Sequence, residues 1–217
     1  MRTAKTVLTV IQERGKQKKP IERVYKLLFN RELYLNAYAK LYPNNGAMTK
    51  GVTDETVDGM SIQKIDRMIE ILREEKYQWK PARREYIKKK NGKKRPLGIP
   101  VWGDKVLQEV MRQILEAYYE PQFSEHSHGF RPNRGCHTAL QEIQVWKGTR
   151  WFIEGDISQY FDTIDHKILL EILARNIHDG RFIRLVSNML EAGYLEEWKF
   201  NQTISGVPQG GVIWPSP

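Results

Sequence analysis

An aspartate that follows a short apolar run is the first candidate for chemistry in this sequence. Trp151-Phe152-Ile153 is a run that predicts a buried strand, and Asp156 stands just beyond it. A carboxylate placed by a strand and opened to solvent by a loop is a good ligand for Mg²⁺, which prefers hard oxygen atoms. Spacing alone equally supports the alternative that Asp156 caps the next helix, with Asp162 and Asp165 as surface charges.

A second candidate is a glycine-rich loop, Ser205-Gly206-Val207-Pro208-Gln209-Gly210-Gly211. Glycine and proline around a central glutamine favour a tight turn that lets the backbone approach a ligand closely. By itself the segment is typical of any turn, so it gains meaning only beside other motifs.

Positive charge is concentrated in residues 76–95, which hold ten Lys or Arg residues and one acid. This strip accounts for the whole net charge of +9, since the rest of the chain balances to zero. Clustered cations favour a polyanion partner such as RNA, DNA or a nucleoside triphosphate; the alternative is a solvated basic hairpin. Asn91-Gly92 favours a hairpin turn, with a return strand from Arg95 to Ile99.

Five ordered blocks of the sequence resemble the reverse transcriptases encoded by group II introns, over most of the chain. The blocks are Asn45 to Val52 with Thr56 to Met60, Arg83 to Pro100, His128 to Arg134, Gly155 to His166, and Gly206 to Gly211. The resemblance implies RNA-directed DNA polymerisation by two-metal in-line nucleotidyl transfer. It implies an RNA template, intron RNA, a DNA primer and a dNTP as partners.

The resemblance also assigns roles to individual residues. Asp156 would bind Mg²⁺, with Mn²⁺ as an alternative, and Ile157 would offer its backbone carbonyl to the metal. The residues implied in nucleotide binding are Lys89, Arg95, Phe161 and Gln209. Charge and position favour nucleic-acid binding by Arg83, Arg84, Tyr86, Lys88, Lys93, Lys94, Arg131 and Arg134. For Arg131 and Arg134, pairing with nearby acids is an equal alternative.

Two features depart from the family pattern. The sequence has no Asp-Asp pair to supply the remaining metal carboxylates. Trp214-Pro215-Ser216-Pro217 stands where the family continues into a helix, which proline cannot nucleate. We therefore expect a truncated piece that does not extend primers by itself. Three functions stay open: a polymerase piece, a non-catalytic maturase-like module that binds intron RNA, and a fragment without a cellular role.

Helical periodicity and hairpin signals predict an α+β fold, and the resemblance implies the fingers and incomplete palm of a right-hand polymerase. We predict an N-terminal helical extension over 1–44, fingers over 45–150 with the basic hairpin at 83–100, and a truncated palm over 151–217. A strong amphipathic helix is predicted from Lys105 to Tyr119.

The remaining expectations concern the surroundings of the chain. Residues 1–20 favour a short helix or a loose arm, with Gly15 and Pro20 as helix breakers, and we expect Met1 to Lys19 to be mobile. No apolar run reaches the roughly 20 residues of a membrane helix, so we expect no membrane partner. A single cysteine fits a cytoplasmic protein. The apolar surface left by an incomplete palm favours self-association.

Overall fold

A computed structural model describes residues 2–88, 92, 94–203, 205, 206 and 212. The described part is helix-rich with short strands, which confirms the α+β prediction. Its α-helices are α1 (Ala4–Lys16), α2 (Arg31–Leu41), α3 (Ile62–Arg73), α4 (Trp102–Tyr119), α5 (Cys136–Gln144), α6 (Tyr160–Thr163), α7 (His166–Ala174) and α8 (Gly180–Glu191). Its strands are β1 (Ile21–Glu22), β2 (Ala82–Lys88), β3 (Lys94–Ile99), β4 (Ile177–His178), β5 (Tyr194–Glu196) and β6 (Lys199–Asn201). None of the helices in this part of the chain combines the length and apolarity needed to cross a bilayer.

Helix α4 forms the centre of the hydrophobic core, with α1 and α2 packed against it. Its apolar residues recur at helical spacing, and five of them have no exposed surface: Val106, Leu107, Val110, Met111 and Ile114. Each such aliphatic side chain contributes about 1.5–3 kcal/mol by leaving water. The helix begins at Trp102, three residues before the predicted start, and its last regular residue is Tyr119.

A four-stranded sheet carries the basic hairpin, in the order β3-β2-β5-β6. Strands β2 and β3 are antiparallel, with Arg83 opposite Ile99 and Lys88 opposite Lys94. Strand β5 runs parallel to the start of β2 and pairs with β6 in the antiparallel sense. The predicted hairpin is therefore confirmed, and Gly92 at its tip has a φ of +78°, which favours glycine.

The first helix packs on the core, so of the two interpretations of the N-terminus the short helix is confirmed and the mobile arm was wrong. The Thr3 hydroxyl caps α1 by accepting a hydrogen bond from the backbone N–H of Thr6 at 3.2 Å. Ile11 is buried against the core. Gly15 does not break the helix but lets it approach α4: a Cβ there would lie 2.1 Å from the carbonyl oxygen of Tyr118.

The buried strand predicted at Trp151-Phe152-Ile153 is also wrong. These residues have no regular secondary structure, and they are 87%, 70% and 94% exposed. A strand needs a neighbouring strand for its backbone hydrogen bonds, and no strand in the described ranges pairs with this segment. Among the described residues, the three apolar side chains therefore have no neighbouring strand to pack against.

Candidate nucleic-acid and nucleotide site

The hairpin displays its candidate residues on two opposite faces, because successive side chains of a strand alternate. The cross-strand register assigns each residue of β3 to the face of its partner on β2. One face, here called the Tyr86 face, carries Arg84, Tyr86, Lys88 and Lys94. The other, the Arg95 face, carries Arg83 and Arg95.

The Tyr86 face is braced by strand β5. The Arg84 guanidinium lies 3.4 Å from the centre of the Tyr194 ring. The Tyr86 hydroxyl donates a hydrogen bond to the Glu196 carboxylate, and this bond raises the pKa of Tyr86. The Lys94 ammonium lies 6.0 Å from the Tyr86 ring centre. The face thus offers a half-exposed aromatic ring among cations, a combination that suits single-stranded nucleic acid.

The Arg95 face adjoins residues 44–51, here called the N-terminal loop. The Arg83 guanidinium donates two hydrogen bonds, of 3.1 and 2.9 Å, to the carbonyl oxygen of Lys50. It also forms an ion pair with Glu85. Arg83 therefore ties the hairpin to the N-terminal loop, and its contact with nucleic acid stays a prediction.

The glycine-rich loop begins against helix α6. The backbone N–H of Gly206 donates to the Ile164 carbonyl at 2.8 Å, and the Gly206 carbonyl accepts from His166 Nε2 at 2.6 Å. Gly206 has a φ of +78°, and a Cβ there would lie 2.8 Å from the Asp162 carbonyl oxygen, so the position requires glycine. The structure therefore brings the start of this loop onto the segment that contains Phe161, which packs half-buried against the core.

Val212, the residue directly after the glycine-rich loop in the sequence, lies at helix α4, where its backbone N–H donates to Gln108 Oε1 at 2.9 Å. Three predicted binding residues lie outside the described residues: Lys89, Lys93 and Gln209. Their roles stay predictions. In the sequence Gln209 stands between Gly206, which contacts the end of α6, and Val212, which contacts α4.

The predicted metal ligands Asp156 and Ile157 lie exposed in irregular backbone. Within the described ranges, no three His, Cys, Asp or Glu residues form a group that could hold a metal ion. A pair of Mg²⁺ ions needs several oxygen ligands. Asp156 offers the right chemistry for one ligand, but the described residues by themselves do not fit a divalent-metal site.

Arg131 and Arg134 make contacts within their own loop. The Arg131 guanidinium pairs with the Glu120 carboxylate at 2.9 Å and donates to the Ser124 carbonyl at 2.6 Å. Arg134 donates to the carbonyl of Glu125. For Arg131, the contacts match the alternative in which the arginine pairs with a nearby acid, here Glu120. Phosphate contact by either arginine stays a prediction.

Sequence reasoning missed a row of buried polar side chains on α4. Asp104, Lys105 and Gln108 are each at most 9% exposed, and each bonds a different segment of the chain. Asp104 bonds the segment before β2, Lys105 bonds the N-terminal loop, and Gln108 bonds Val212, directly after the glycine-rich loop. The available signal was the breadth of the apolar stripe, which leaves little of the helix circumference to face water.

Asp104 gives the chain a specific pH dependence. Its carboxylate accepts hydrogen bonds from the Tyr77 hydroxyl at 2.6 Å and the Lys80 backbone N–H at 2.9 Å. Burial nevertheless raises the pKa of Asp104 to about 6. Because the folded state then binds this proton more tightly than the unfolded state, the stabilisation is present in acid and is lost as pH rises from about 4 to about 6.

An Asp104→Asn variant is expected to lack this contribution, because its side chain does not ionise. From pH 4.5 to pH 7, the free energy of unfolding of the wild type should fall relative to that of the variant by about 2 kcal/mol. Urea unfolding of both proteins at both pH values measures this difference in the free energy of unfolding. The exposed Asp58→Asn control should keep the wild-type pH slope, and parallel curves for wild type and Asp104→Asn would contradict the assignment.

Comparison with known proteins gives the class of this chain. Residues 87–216 match the family described as reverse transcriptase (RNA-dependent DNA polymerase). The group II intron-encoded protein LtrA of Lactococcus lactis subsp. cremoris is 50% identical over 195 residues, covering 89% of this chain and 33% of the relative. An uncharacterised 91 kDa protein in the cob intron of Schizosaccharomyces pombe is 46% identical over 220 residues, covering 98% and 27%. Nuclear intron maturase 1 of Arabidopsis thaliana is 36% identical over 93 residues, covering 42% and 13%.

The chain belongs to the reverse transcriptase family. Within that family it is of the group II intron reverse transcriptase/maturase type, which confirms the resemblance drawn from the five motif blocks. The chain spans about a third of the length of LtrA and about a quarter of the cob intron protein.

Proposed function

We propose that this chain is the template- and nucleotide-binding part of an RNA-directed DNA polymerase encoded by a group II intron. The hairpin carries the proposal, since it presents a half-exposed aromatic ring among cations on one face and the partly exposed Arg95 on the other. Lys88 and Lys94 would neutralise phosphates of the RNA template, and the Tyr86 ring would stack on a base or sugar. Arg84, held on the Tyr194 ring, would contribute a fixed positive charge to the same face.

The incoming dNTP is proposed to lie on the Arg95 face, because the planar fork of arginine suits phosphate oxygens. Lys89 would supply a second positive charge at the hairpin. Phe161 and Gln209 belong to the two segments that meet at Gly206, and this contact supports a shared nucleotide site.

Reverse transcriptase domains in general use divalent metals. We propose Asp156 and the Ile157 carbonyl as ligands of Mg²⁺ or Mn²⁺, completed by ligands beyond the described residues. A DNA primer would then approach the exposed Asp156 side of the site. In this arrangement residues 45–150 act as fingers and residues 151–217 as the start of a palm.

Intron RNA binding without catalysis is a second candidate function. The structure describes every residue of the Tyr86 face. In the described part of the chain as a whole, no three His, Cys, Asp or Glu residues form a group that could hold a metal ion. One relative is named an intron maturase, which fits the same candidate. The two functions share the hairpin and differ in their need for Asp156.

Reversing the charge of the hairpin tests RNA binding, which both candidates require. We expect the variant Lys88→Glu/Lys89→Glu/Lys93→Glu/Lys94→Glu to lose at least about 100-fold in RNA affinity at low salt, because each lost phosphate contact removes counterion release. Fluorescence anisotropy with a labelled RNA, from about 50 to 300 mM KCl, measures the affinity. The slope of log Kd against log salt concentration should become shallower by roughly 3.

A matched variant separates the hairpin from the net charge of the protein. Four exposed lysines on other elements, changed to glutamate, alter the total charge equally: Lys5, Lys18, Lys19 and Lys26. This control is expected to keep most of the affinity and the wild-type salt slope. Equal losses in the two variants, or an unchanged affinity in the hairpin variant, would remove the hairpin as the binding site.

A further inference from the structure

Two of the buried polar residues on α4 lie where the segments of the proposed nucleotide site meet. Lys105 Nζ donates to the carbonyl oxygens of Gly46 at 3.2 Å and Thr49 at 3.0 Å. Nearly one helical turn later, Gln108 Oε1 accepts the hydrogen bond from Val212. Residues three apart share one side of a helix, so a single face of α4 holds both the N-terminal loop and Val212, the residue that follows the glycine-rich loop.

A cavity of about 210 Å³ marks this junction. Its walls come from the N-terminal loop, the base of β3, the start of α4 and the segment at Val212. Lining residues from these four segments include Ala47, Leu97, Lys105 and Val212. Strand β3 runs directly from this cavity to Arg95. A displacement of the N-terminal loop or of Val212 would therefore displace the base of the hairpin that is proposed to bind dNTP.

The N-terminal loop is pinned from two further directions. A Cβ at Gly51 would lie 2.8 Å from the backbone nitrogen of Val101, so the loop touches the junction between β3 and α4. On the hairpin side, the two hydrogen bonds from Arg83 hold the Lys50 carbonyl. Lys105 from α4 and Arg83 from the hairpin therefore both hold the N-terminal loop by hydrogen bonds to its carbonyl groups.

The cost of burying Lys105 indicates more than a packing role. The residue is 9% exposed, and burial lowers the pKa of its ammonium group, with a smaller contribution from the nearby charge of Arg83. Its partners are the two loop carbonyls and the Trp102 ring, whose centre lies 5.9 Å away. Desolvating a cation costs several kcal/mol, so an aliphatic side chain would fill this position at lower cost if packing were sufficient.

We propose that Lys105 and Gln108 are positioning residues of the nucleotide site. They act through the N-terminal loop and Val212, which they hold in a fixed relation to the hairpin, so that the dNTP-binding groups are preorganised before the nucleotide arrives. The inference rests on the proposed polymerase function and adds residues to which the five motif blocks give no role in binding the nucleotide.

Steady-state kinetics test the inference in a protein in which this chain replaces the aligned third of LtrA. Lys105→Met and Gln108→Leu are each expected to raise the KM for dNTP about tenfold while kcat changes less than about twofold, because the reacting groups are untouched. Lys105→Arg keeps the cation and should recover most of the affinity. Gln113→Leu is the matched control. Gln113 also lies on α4, but it donates to the Leu33 carbonyl on α2, away from the N-terminal loop and Val212, so the KM of this variant should be unchanged.

Hydrogen exchange on the 217-residue chain supplies a readout that does not depend on activity. In Lys105→Met, amides of residues 44–51 should exchange faster, while those of α4 should keep their protection. Faster exchange throughout the chain would show a general loss of stability and overturn the positioning role. If the wild-type fusion incorporated no dNTP, the proposed function would fail; if it did and Lys105→Met left KM unchanged, only the positioning role would fail.

Discussion

Replacing Asp156 with alanine is expected to reduce templated DNA synthesis by about 100- to 1,000-fold, the scale seen when a group that stabilises transition-state charge is removed. Asp156 is the carboxylate that the family resemblance assigns to the catalytic metal, and it lies exposed to solvent. RNA affinity should stay within about twofold of the wild type, because binding is proposed to reside in the hairpin. The variant therefore separates the polymerase from the non-catalytic RNA-binding module.

The measurement is incorporation of labelled dNTP on an RNA template with a DNA primer, in the fusion to the remaining two thirds of LtrA. Glu154→Ala is the matched control, because Glu154 is an exposed carboxylate in the same irregular segment with no assigned role. It should keep synthesis near the wild-type rate. Undiminished synthesis by Asp156→Ala would refute the catalytic assignment, and equal losses in both variants would point to folding of the segment.

The 217-residue chain on its own is expected to give no incorporation, because its sequence contains no Asp-Asp motif to complete the metal ligands. Synthesis by the purified chain that disappeared in Asp156→Ala would contradict this expectation. Its RNA affinity, measured beside the fusion, shows whether the hairpin works independently of the remaining protein.

Replacing Gly15 with alanine is expected to destabilise the fold by about 3 kcal/mol, near the upper end for an overpacked core. The new methyl group would lie 2.1 Å from the Tyr118 carbonyl oxygen, a backbone atom that moves only if α1 and α4 separate. Helix propensity favours alanine by about 0.5–1 kcal/mol, which is too little to offset the clash. In thermal unfolding the midpoint should fall by roughly 6 to 12 °C.

Gly103→Ala is the matched control for this substitution. Gly103 also lies in a helix, but a Cβ there meets only the flexible end of Met68, at 3.4 Å. The propensity gain should dominate, so stability is expected to stay constant or to rise slightly. An unchanged or raised melting temperature for Gly15→Ala would show that the two helices are not in the contact described.

Much of the fold followed from local patterns in the sequence. Helix α4 was predicted because its apolar residues recur at the helical period, and the hairpin because a turn dipeptide separates two extended arms. The glycine-rich loop was recognisable as a tight turn from its glycine and proline residues, and the structure explains one of them, Gly206, by its positive φ and close backbone contact. Such features depend on residues near one another in the chain, so the sequence records them directly.

Other features were decided only by tertiary contacts. Trp151-Phe152-Ile153 had the composition of a buried strand, but among the described residues no strand lies beside it, and it is exposed. Gly15 carried the signal of a breaker, yet its missing side chain is what admits a neighbouring helix. The burial of Lys105 follows from segments that lie more than fifty residues away and bring carbonyl groups to its ammonium.

By itself, then, the sequence determined the family, the basic hairpin and the candidate metal ligand Asp156, because these depend on residue types in a fixed order. The tertiary structure alone decided which of the hairpin's cations lie together and which loops α4 holds at its base. The physical reason is that a buried polar group is stable only beside a partner, and partners distant in sequence are specified by the packing of the whole chain.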